Sequence, residues 1–448
     1  MAARSPSLPS IAALKSDLLL ALTCLAVFAT GTGCRDAKPP RPLSAPMPQR
    51  AYVWQRDWQA PVAPALAEGR EVLDGAVILG AEVEWKSGTP SPIVPDVDWS
   101  AVKDFGKPVS VAMRIAPYAG PFEDSGAVMD FLVATARSLV ASATTAQVPL
   151  AEFQLDFDCA QKKLAGYAKW VRRLREAVAP LPLVITALPS WLPEPEFPNL
   201  AAEAHHYVLQ VHSVPSPRGD DKTQICDPTE ARRWVGQASK LRLPFEIALP
   251  TYRSLVGYGP DDKLLGVVSD SVRPAWPAST RIREYSLDAD LMAFLVAEWQ
   301  TKRPKFCTGL LWYRMPVATD ENNWRWPTFK AVMAGRAPRG SWQVRIDGSA
   351  SSEKLPPNPA DLVLKNVGET DGPPTCQVQV SWTNASAPLA EALPGWEVRI
   401  EKEKQRATFF RATNIGRRLP PGSECAIGWL RLQPGAPFHV EVVSEPGS

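Results

Sequence analysis

The chain has 448 residues, with 49 Lys and Arg against 47 Asp and Glu, for a formal net charge of +2. That balance, without any basic stripe, sets nucleic-acid binding aside, and the length implies several domains or one barrel-sized domain with an added module. Hydrophobic content of 45% is ordinary, whereas 46 Pro and 16 Trp are not. The prolines point to many ordered turns and strand entries, and the tryptophans either fill a core or stack on the apolar faces of sugars.

The first segment reads as targeting sequence. Lys15 precedes an apolar run from Leu18 to Thr30, which ends in Gly31-Thr32-Gly33-Cys34. The run is too short to span as a helix and suits a signal peptide. The small residues before Cys34 resemble a bacterial lipoprotein processing box. Residues 1–34 are therefore expected to be signal and lipobox, with Cys34 lipidated; ordinary cleavage of a secreted chain is the alternative. Residues 35–50 read as a flexible tether, and the expected location is the periplasmic face of a bacterial membrane. No later segment reads as apolar enough to span.

Residues 51–335 alternate apolar, β-rich runs with helical patterns. The expected strands are Ala51–Trp58, Gly75–Trp85, Pro108–Ala116, Glu152–Cys159, Leu183–Leu188, Tyr207–Val214, Phe245–Thr251 and Thr308–Met315. Helical patterns include Ser125–Ala141, Lys162–Val178, Thr229–Leu241 and Leu287–Lys302. Strands alternating with helices imply parallel pairing, and eight units imply a (β/α)8 TIM barrel. A doubly wound sheet is less consistent, because no glycine-rich phosphate fingerprint follows the first strand. Long connections at Lys86–Lys107, Ser213–Asp227 and Tyr252–Tyr285 are expected to build the site.

After residue 340 the texture changes to short β runs at Trp342–Ile346, Asp361–Lys365, Cys376–Trp382, Trp396–Glu401, Arg406–Ala412, Cys425–Leu432 and Phe438–Val443. No helical period appears, so residues 341–448 read as a small β-sandwich. Export would permit disulfides. Cys376 and Cys425 are expected to pair, Cys159 and Cys226 to bridge near one barrel face, and Cys307 to be buried and left over.

The chemistry concentrates at strand ends. In Phe153–Cys159 a period of two puts Asp156 and Asp158 on one face. Paired carboxylates are costly to bury unless hydrogen bonds, metal or chemistry offsets the cost. They read as an acid and its tuning partner, or as caps of the following helix. Glu82 and Glu84 repeat the pattern, and Glu84 is taken as base or nucleophile. Arg114, in an apolar strand, needs an anion, with Asp156 as its expected partner. His212 orients, Tyr252 forms a pocket wall, and Glu246, early on its strand, is structural. Trp312 and Arg314 are read as sharing a face, and with Trp54, Trp85 and Trp191 they form an aromatic-rich substrate surface. No metal or cofactor is expected.

The segments Ala51-Tyr52-Val53-Trp54-Gln55-Arg56, Phe153–Cys159 and Ala248-Leu249-Pro250-Thr251-Tyr252 are similar to those of a bacterial family catalogued as domain of unknown function 3142. The resemblance spans roughly residues 50–335 and implies a glycoside-hydrolase-like barrel without supplying an activity. Asp156 and Asp158 also resemble the two Asp positions of the Asp-x-Asp-x-Glu strand end of family-18 chitinases, where the acid position falls on Ala160, which cannot donate a proton. Three functions follow as expectations. The first is a glycoside-hydrolase-like enzyme on a poly- or oligosaccharide, the second a non-catalytic glycan-binding or envelope-assembly lipoprotein, and the third a metal-dependent hydrolase.

Overall fold

The computed structural model describes residues 46–58, 61–213, 224–269, 276–347, 359–383, 385, 387–412, 418–431 and 437–444. The expected signal peptide, Cys34 and most of the tether lie outside the described residues.

The first twelve strands are β1 (Gln49–Val53), β2 (Gly75–Lys86), β3 (Thr89–Ile93), β4 (Val109–Ile115), β5 (Leu150–Phe157), β6 (Leu183–Ala187), β7 (His206–Gln210), β8 (Phe245–Pro250), β9 (Ser254–Tyr258), β10 (Leu264–Val268), β11 (Arg281–Tyr285) and β12 (Cys307–Tyr313). Eight of them pair in parallel in the order β1-β12-β8-β7-β6-β5-β4-β2, and pairing of β1 with β2 closes the ring. This is the expected (β/α)8 barrel. Its helices are α1 (Val62–Gly69), α2 (Trp99–Phe105), α3 (Ala127–Thr145), α4 (Leu164–Val178), α5 (Phe197–Glu203), α6 (Pro228–Ala238), α7 (Ala289–Thr301) and α8 (Trp326–Met333). Helix α3 is long and apolar enough by composition to cross a membrane, contrary to the sequence reading. Here Met129, Leu132, Val133, Ala136, Leu139 and Ala143 bury its inner stripe in the barrel's core.

Alternation divides the barrel strands into two faces. Outward residues such as Ala51, Ile78, Met113, Leu155 and Ile185 join the helices in one large core. Inward residues form a separate small cluster of Tyr52, Val77, Ala112, Val184, Val208, Ala248 and Leu311, capped by Trp54 and Tyr313. On β2 one extra residue, Gly80, shifts the register between Leu79 and Ala81. Such a bulge changes the phase of all that follows, so Glu82 comes to lie opposite inward-facing Arg114. A Cβ on Gly80 would come within 2.5 Å of the Val111 side chain.

Two long connections carry structure of their own. Strand β3 returns antiparallel along the end of β2, and β9–β11 form a three-stranded antiparallel sheet after β8. Beyond the barrel, β13 (Trp342–Asp347), β14 (Ala360–Asn366), β15 (Cys376–Trp382), β16 (Leu389–Ala392), β17 (Trp396–Glu401), β18 (Arg406–Arg411), β19 (Glu424–Arg431) and β20 (Phe438–Ser444) form two four-stranded sheets. Leu362, Leu364, Val378, Val380, Phe409 and Ile427 fill the core between them. The seven expected runs are all strands; β16 was missed because Leu389-Ala390-Glu391-Ala392 has the composition of a helix. Asp371 ties this region to α8, accepting from Thr328 Oγ1 at 2.6 Å and the Arg325 amide at 2.8 Å.

The cysteines differ in part from expectation. Cys159 and Cys226 are separate buried thiols, not a bridge. Cys159 keeps the outward phase of Phe157 and packs under the helices, its Sγ donating to the Ala160 carbonyl at 3.5 Å. Burial pushes both thiols up to about 12. Cys307 is buried, as expected, with Sγ 3.6 Å from Met47 Sδ. Cys376 and Cys425 lie on the two opposing sheets of the sandwich, both against its core.

Candidate active site

The C-terminal ends of the barrel strands surround a cavity of about 240 Å³. Its wall is Tyr52 and Trp54 from β1 and the residues after it, Arg114 from β4, Asp156 and Asp158 from β5, Thr186 and Leu188 from β6, Gln210, His212 and Ser213 from β7 and its loop, Ala248 and Tyr252 from β8 and its loop, and Tyr313 from β12. Parallel strands all deliver their carboxyl ends to one face, which is why residues so distant in sequence meet here.

Asp156 sits inside this mouth. Its Oδ1 accepts from Thr186 Oγ1 at 2.8 Å and from Gln210 Nε2 at 3.4 Å. Arg114 Nε stands 4.0 Å from its Oδ2, the pairing expected from sequence. Burial and the neighbouring Asp158 outweigh the help of Arg114 and the Thr186 hydroxyl, and raise the Asp156 carboxyl to about 6. Asp158 lies further out, at the cavity's edge, and is raised too, chiefly by burial and against the pull of Arg114. The charge of Asp158 opposes ionisation of Asp156, so the two acids do not titrate independently. His212 is the opposite case, since burial lowers it to about 4 and leaves the ring neutral. Its Nδ1 lies 3.4 Å from the Tyr252 hydroxyl, and its ring stacks on Tyr313 with centroids 5.9 Å apart.

Asp156, Asp158, Arg114, His212, Trp54 and Tyr252 thus come together as the sequence suggested. Five other expected members do not line the cavity. Glu84 follows the last β2–β4 pair and faces Ser91 on the β2–β3 hairpin. Trp85 spends its indole N–H on the Ala116 carbonyl at 2.9 Å and packs on Tyr118 at 4.3 Å. Trp191 is fully buried outside the barrel, donating to the Cys159 carbonyl at 3.0 Å. Trp312 has the outward phase of β12, edge-on to Phe329 of α8 at 5.3 Å. Arg314 is buried against Asp320, with Nε to Oδ2 at 2.7 Å, and donates to the Ser269 carbonyl at 3.0 Å. It organises the loop after β12 and does not meet substrate. Tyr52, Thr186 and Tyr313 were not expected in the wall, and Gln210, which the alternation puts in phase with His212, was given no role. Tyr313 was one residue from the chosen phase, and Tyr52, Thr186 and Gln210 carry the same alternation as Trp54, Leu188 and His212.

The other inward acid of the mouth is already matched. Glu82 accepts from Arg56 Nε at 2.6 Å and Nη2 at 2.9 Å. Among the described residues no group of three or more His, Cys, Asp and Glu converges as metal ligands would.

Fold and site define a TIM barrel with a carboxylate pair in an aromatic mouth. Residues 112–318 match the model of the family described as Domain of unknown function (DUF3142). That bears out the resemblance carried by Phe153–Cys159 and by Ala248–Tyr252. No curated protein matches the chain. Among solved structures it is similar to a chitinase from Chromobacterium violaceum ATCC 12472, at TM-score 0.44 and 12% identity over 64% of this chain and 98% of that one. It is similar to the spore cortex-lytic enzyme SleL of Bacillus cereus, at TM-score 0.44 and 10% identity over 65% and 74%. Chitinase ChiA74 from Bacillus thuringiensis gives TM-score 0.43 and 9% identity over 89% and 100%.

Proposed function

We propose that the chain is a glycoside-hydrolase-like barrel that admits a residue of a poly- or oligosaccharide to the mouth cavity. The observation that carries this reading is the Asp156–Asp158 pair within an aromatic wall, where burial raises both carboxyls, Asp156 to about 6. The pair delivers its proton through Asp158, the acid nearer solvent, to the glycosidic oxygen as the bond to the anomeric carbon breaks, which leaves Asp156 ionised. Asp156, ionised beside Arg114, faces the positive charge that develops on the sugar. Water then adds to the anomeric carbon, and its proton returns to Asp158. Glu84, expected as base or nucleophile, has no part in this scheme because it does not line the cavity.

The test is release of new reducing ends from a polysaccharide panel by the parent chain and by Asp158→Asn. Loss of turnover by roughly 10²–10⁴-fold is expected, and a variant as active as the parent would reject the role. One observation favours the second reading, a non-catalytic glycan-binding lipoprotein. Among the described residues Asp156 and Asp158 are the only carboxylates lining the cavity and both come from the end of β5, while Ala160 stands at the chitinase acid position. Glycan-array binding by the parent chain without any hydrolysis would select it.

The proposed location is the periplasmic face of a bacterial membrane, with lipid on Cys34. The apolar run Leu18–Thr30 and the small residues before Cys34 support it. Metabolic labelling with a fatty-acid probe should mark the parent chain and not Cys34→Ala; equal labelling of both would remove the anchor.

A further inference from the structure

We propose that the mouth cavity selects an amino sugar whose nitrogen is unacetylated and carries a positive charge, in preference to N-acetylated, neutral or acidic sugars. This rests on the saccharide reading above and names its substrate class.

The cavity is built for a cation in three ways. Four aromatic rings line it and pack on one another. Tyr52 and Trp54 lie 5.1 Å apart edge to face, Trp54 and Tyr313 5.5 Å, and Tyr252 and Tyr313 5.6 Å. Ring faces carry negative charge density and attract ammonium groups, most strongly where water is excluded. The charges of the wall also leave a surplus. Asp156 and Asp158 are set against the single guanidinium of Arg114, which reaches no closer than 4.0 Å to Asp156. With both acids ionised and His212 neutral, the described lining residues carry one net negative charge. Glu82, on the neighbouring strand, is matched by Arg56 and leaves that sum unchanged.

Open hydrogen-bonding capacity points the same way. Asp156 Oδ1 is taken by Thr186 and Gln210. Among the described residues nothing donates a hydrogen bond to Asp158. His212 Nε2 is buried in the cavity wall and, among the described residues, has no hydrogen-bond partner. An ammonium supplies several donors at one point, which suits the Asp158 oxygens and, in the tautomer with Nδ1 protonated, His212 Nε2. An acetamido group has lost the charge, and a uronate would meet Asp158 as a like charge.

The groups facing the pair also set the pH behaviour. They are Arg114 from β4, Glu82 with its Arg56 at β2, Thr186 from β6, Gln210 and His212 at β7, and Tyr52, Tyr252 and Tyr313 from the remaining strand ends. Acid protonates the two carboxyls whose charge attracts the ligand, so it should weaken binding of a cation.

The experiment is titration calorimetry of the full chain at pH 6.5 with four tetrasaccharides: of glucosamine, of N-acetylglucosamine, of glucose and of galacturonate. The glucosamine tetramer should bind at least tenfold more tightly than the others. Its affinity should fall at pH 4.5, and its preference should drop below threefold in Asp158→Asn. Equal or tighter binding of the acetylated, neutral or acidic tetramer would overturn this inference and leave the saccharide reading standing. Binding of none of the four would overturn both. Preference that survives in Asp158→Asn and Asp156→Asn alike would show that the carboxylates are not its source.

Discussion

The two ends of the barrel's interior hold buried acids under opposite terms. At the N-terminal end Arg50 reaches Glu152 at 2.8 Å and Glu246 at 2.5 Å, and His206 lies 3.9 and 3.7 Å from the same two carboxylates. Although burial alone would raise Glu246, the charge and hydrogen bonds of Arg50, with His206, hold it near 2. At the C-terminal end one guanidinium stands at 4.0 Å before two acids, and Asp156 rises to about 6. Close pairing at one end stabilises the barrel. Incomplete pairing at the other costs stability and leaves a proton and an unmet charge facing the cavity.

The comparison breaks most visibly at Arg50. Arg50→Met leaves Glu152 and Glu246 with only His206 of this network beside them and should cost roughly 3–5 kcal/mol, read from urea unfolding. A cost below about 1 kcal/mol would mean that the lower end is not held by this network.

The mouth should respond with the other sign. A carboxyl raised in the folded state favours folding fully only below its unfolded value, and loses that contribution as pH rises through 6. Moving Asp156 from 3.8 to about 6 sets roughly 2–3 kcal/mol against folding at neutral pH. Asp156→Asn keeps an acceptor for Thr186 and removes the charge, so it should be more stable than the parent at pH 7.5, with the gain shrinking as pH falls from about 6 and gone below about pH 4. A destabilised variant at pH 7.5 would contradict the raised state.

His212 runs in reverse. A depressed imidazole contributes stability above its unfolded value near 6.5, and this is lost as pH falls toward 4. His212→Gln should therefore lose less stability than the parent between those limits, seen as a shallower fall in thermal midpoint. The smallest effect is predicted for Glu84→Gln, whose turnover on any active polysaccharide should stay within about twofold of the parent, well under 1 kcal/mol. A larger loss would bring Glu84 back into the site.

The apolar, β-rich runs between helical segments made the barrel legible, because parallel strands buried on both faces read as near-continuous apolar runs. Asp156, Asp158, Arg114 and His212 were legible for the same reason: polar residues in apolar strands stand out at their C-terminal ends. What failed was phase and depth. On β12 adjacent aromatics Trp312 and Tyr313 fit either face, and only packing against α8 decides that Trp312 points outward. On β2 the Gly80 bulge and the β3 hairpin carry the strand past the barrel, so Glu84 has the right alternation but too great a height. Trp191 and Trp85 are aromatic residues near strand ends whose indole N–H groups are satisfied by backbone carbonyls in the helical shell. Composition alone could not separate them from Trp54.

The most direct measurement is a carboxyl-carbon NMR titration of the chain labelled at Asp and Glu, with Asp156→Asn, Asp158→Asn and Glu246→Gln for assignment. One member of the mouth pair should titrate with a midpoint near 6, while Glu246 stays ionised down to about 2. Mouth acids that both titrate at or below 3.8 would contradict the account, since the cavity would then hold no acid poised to give up a proton.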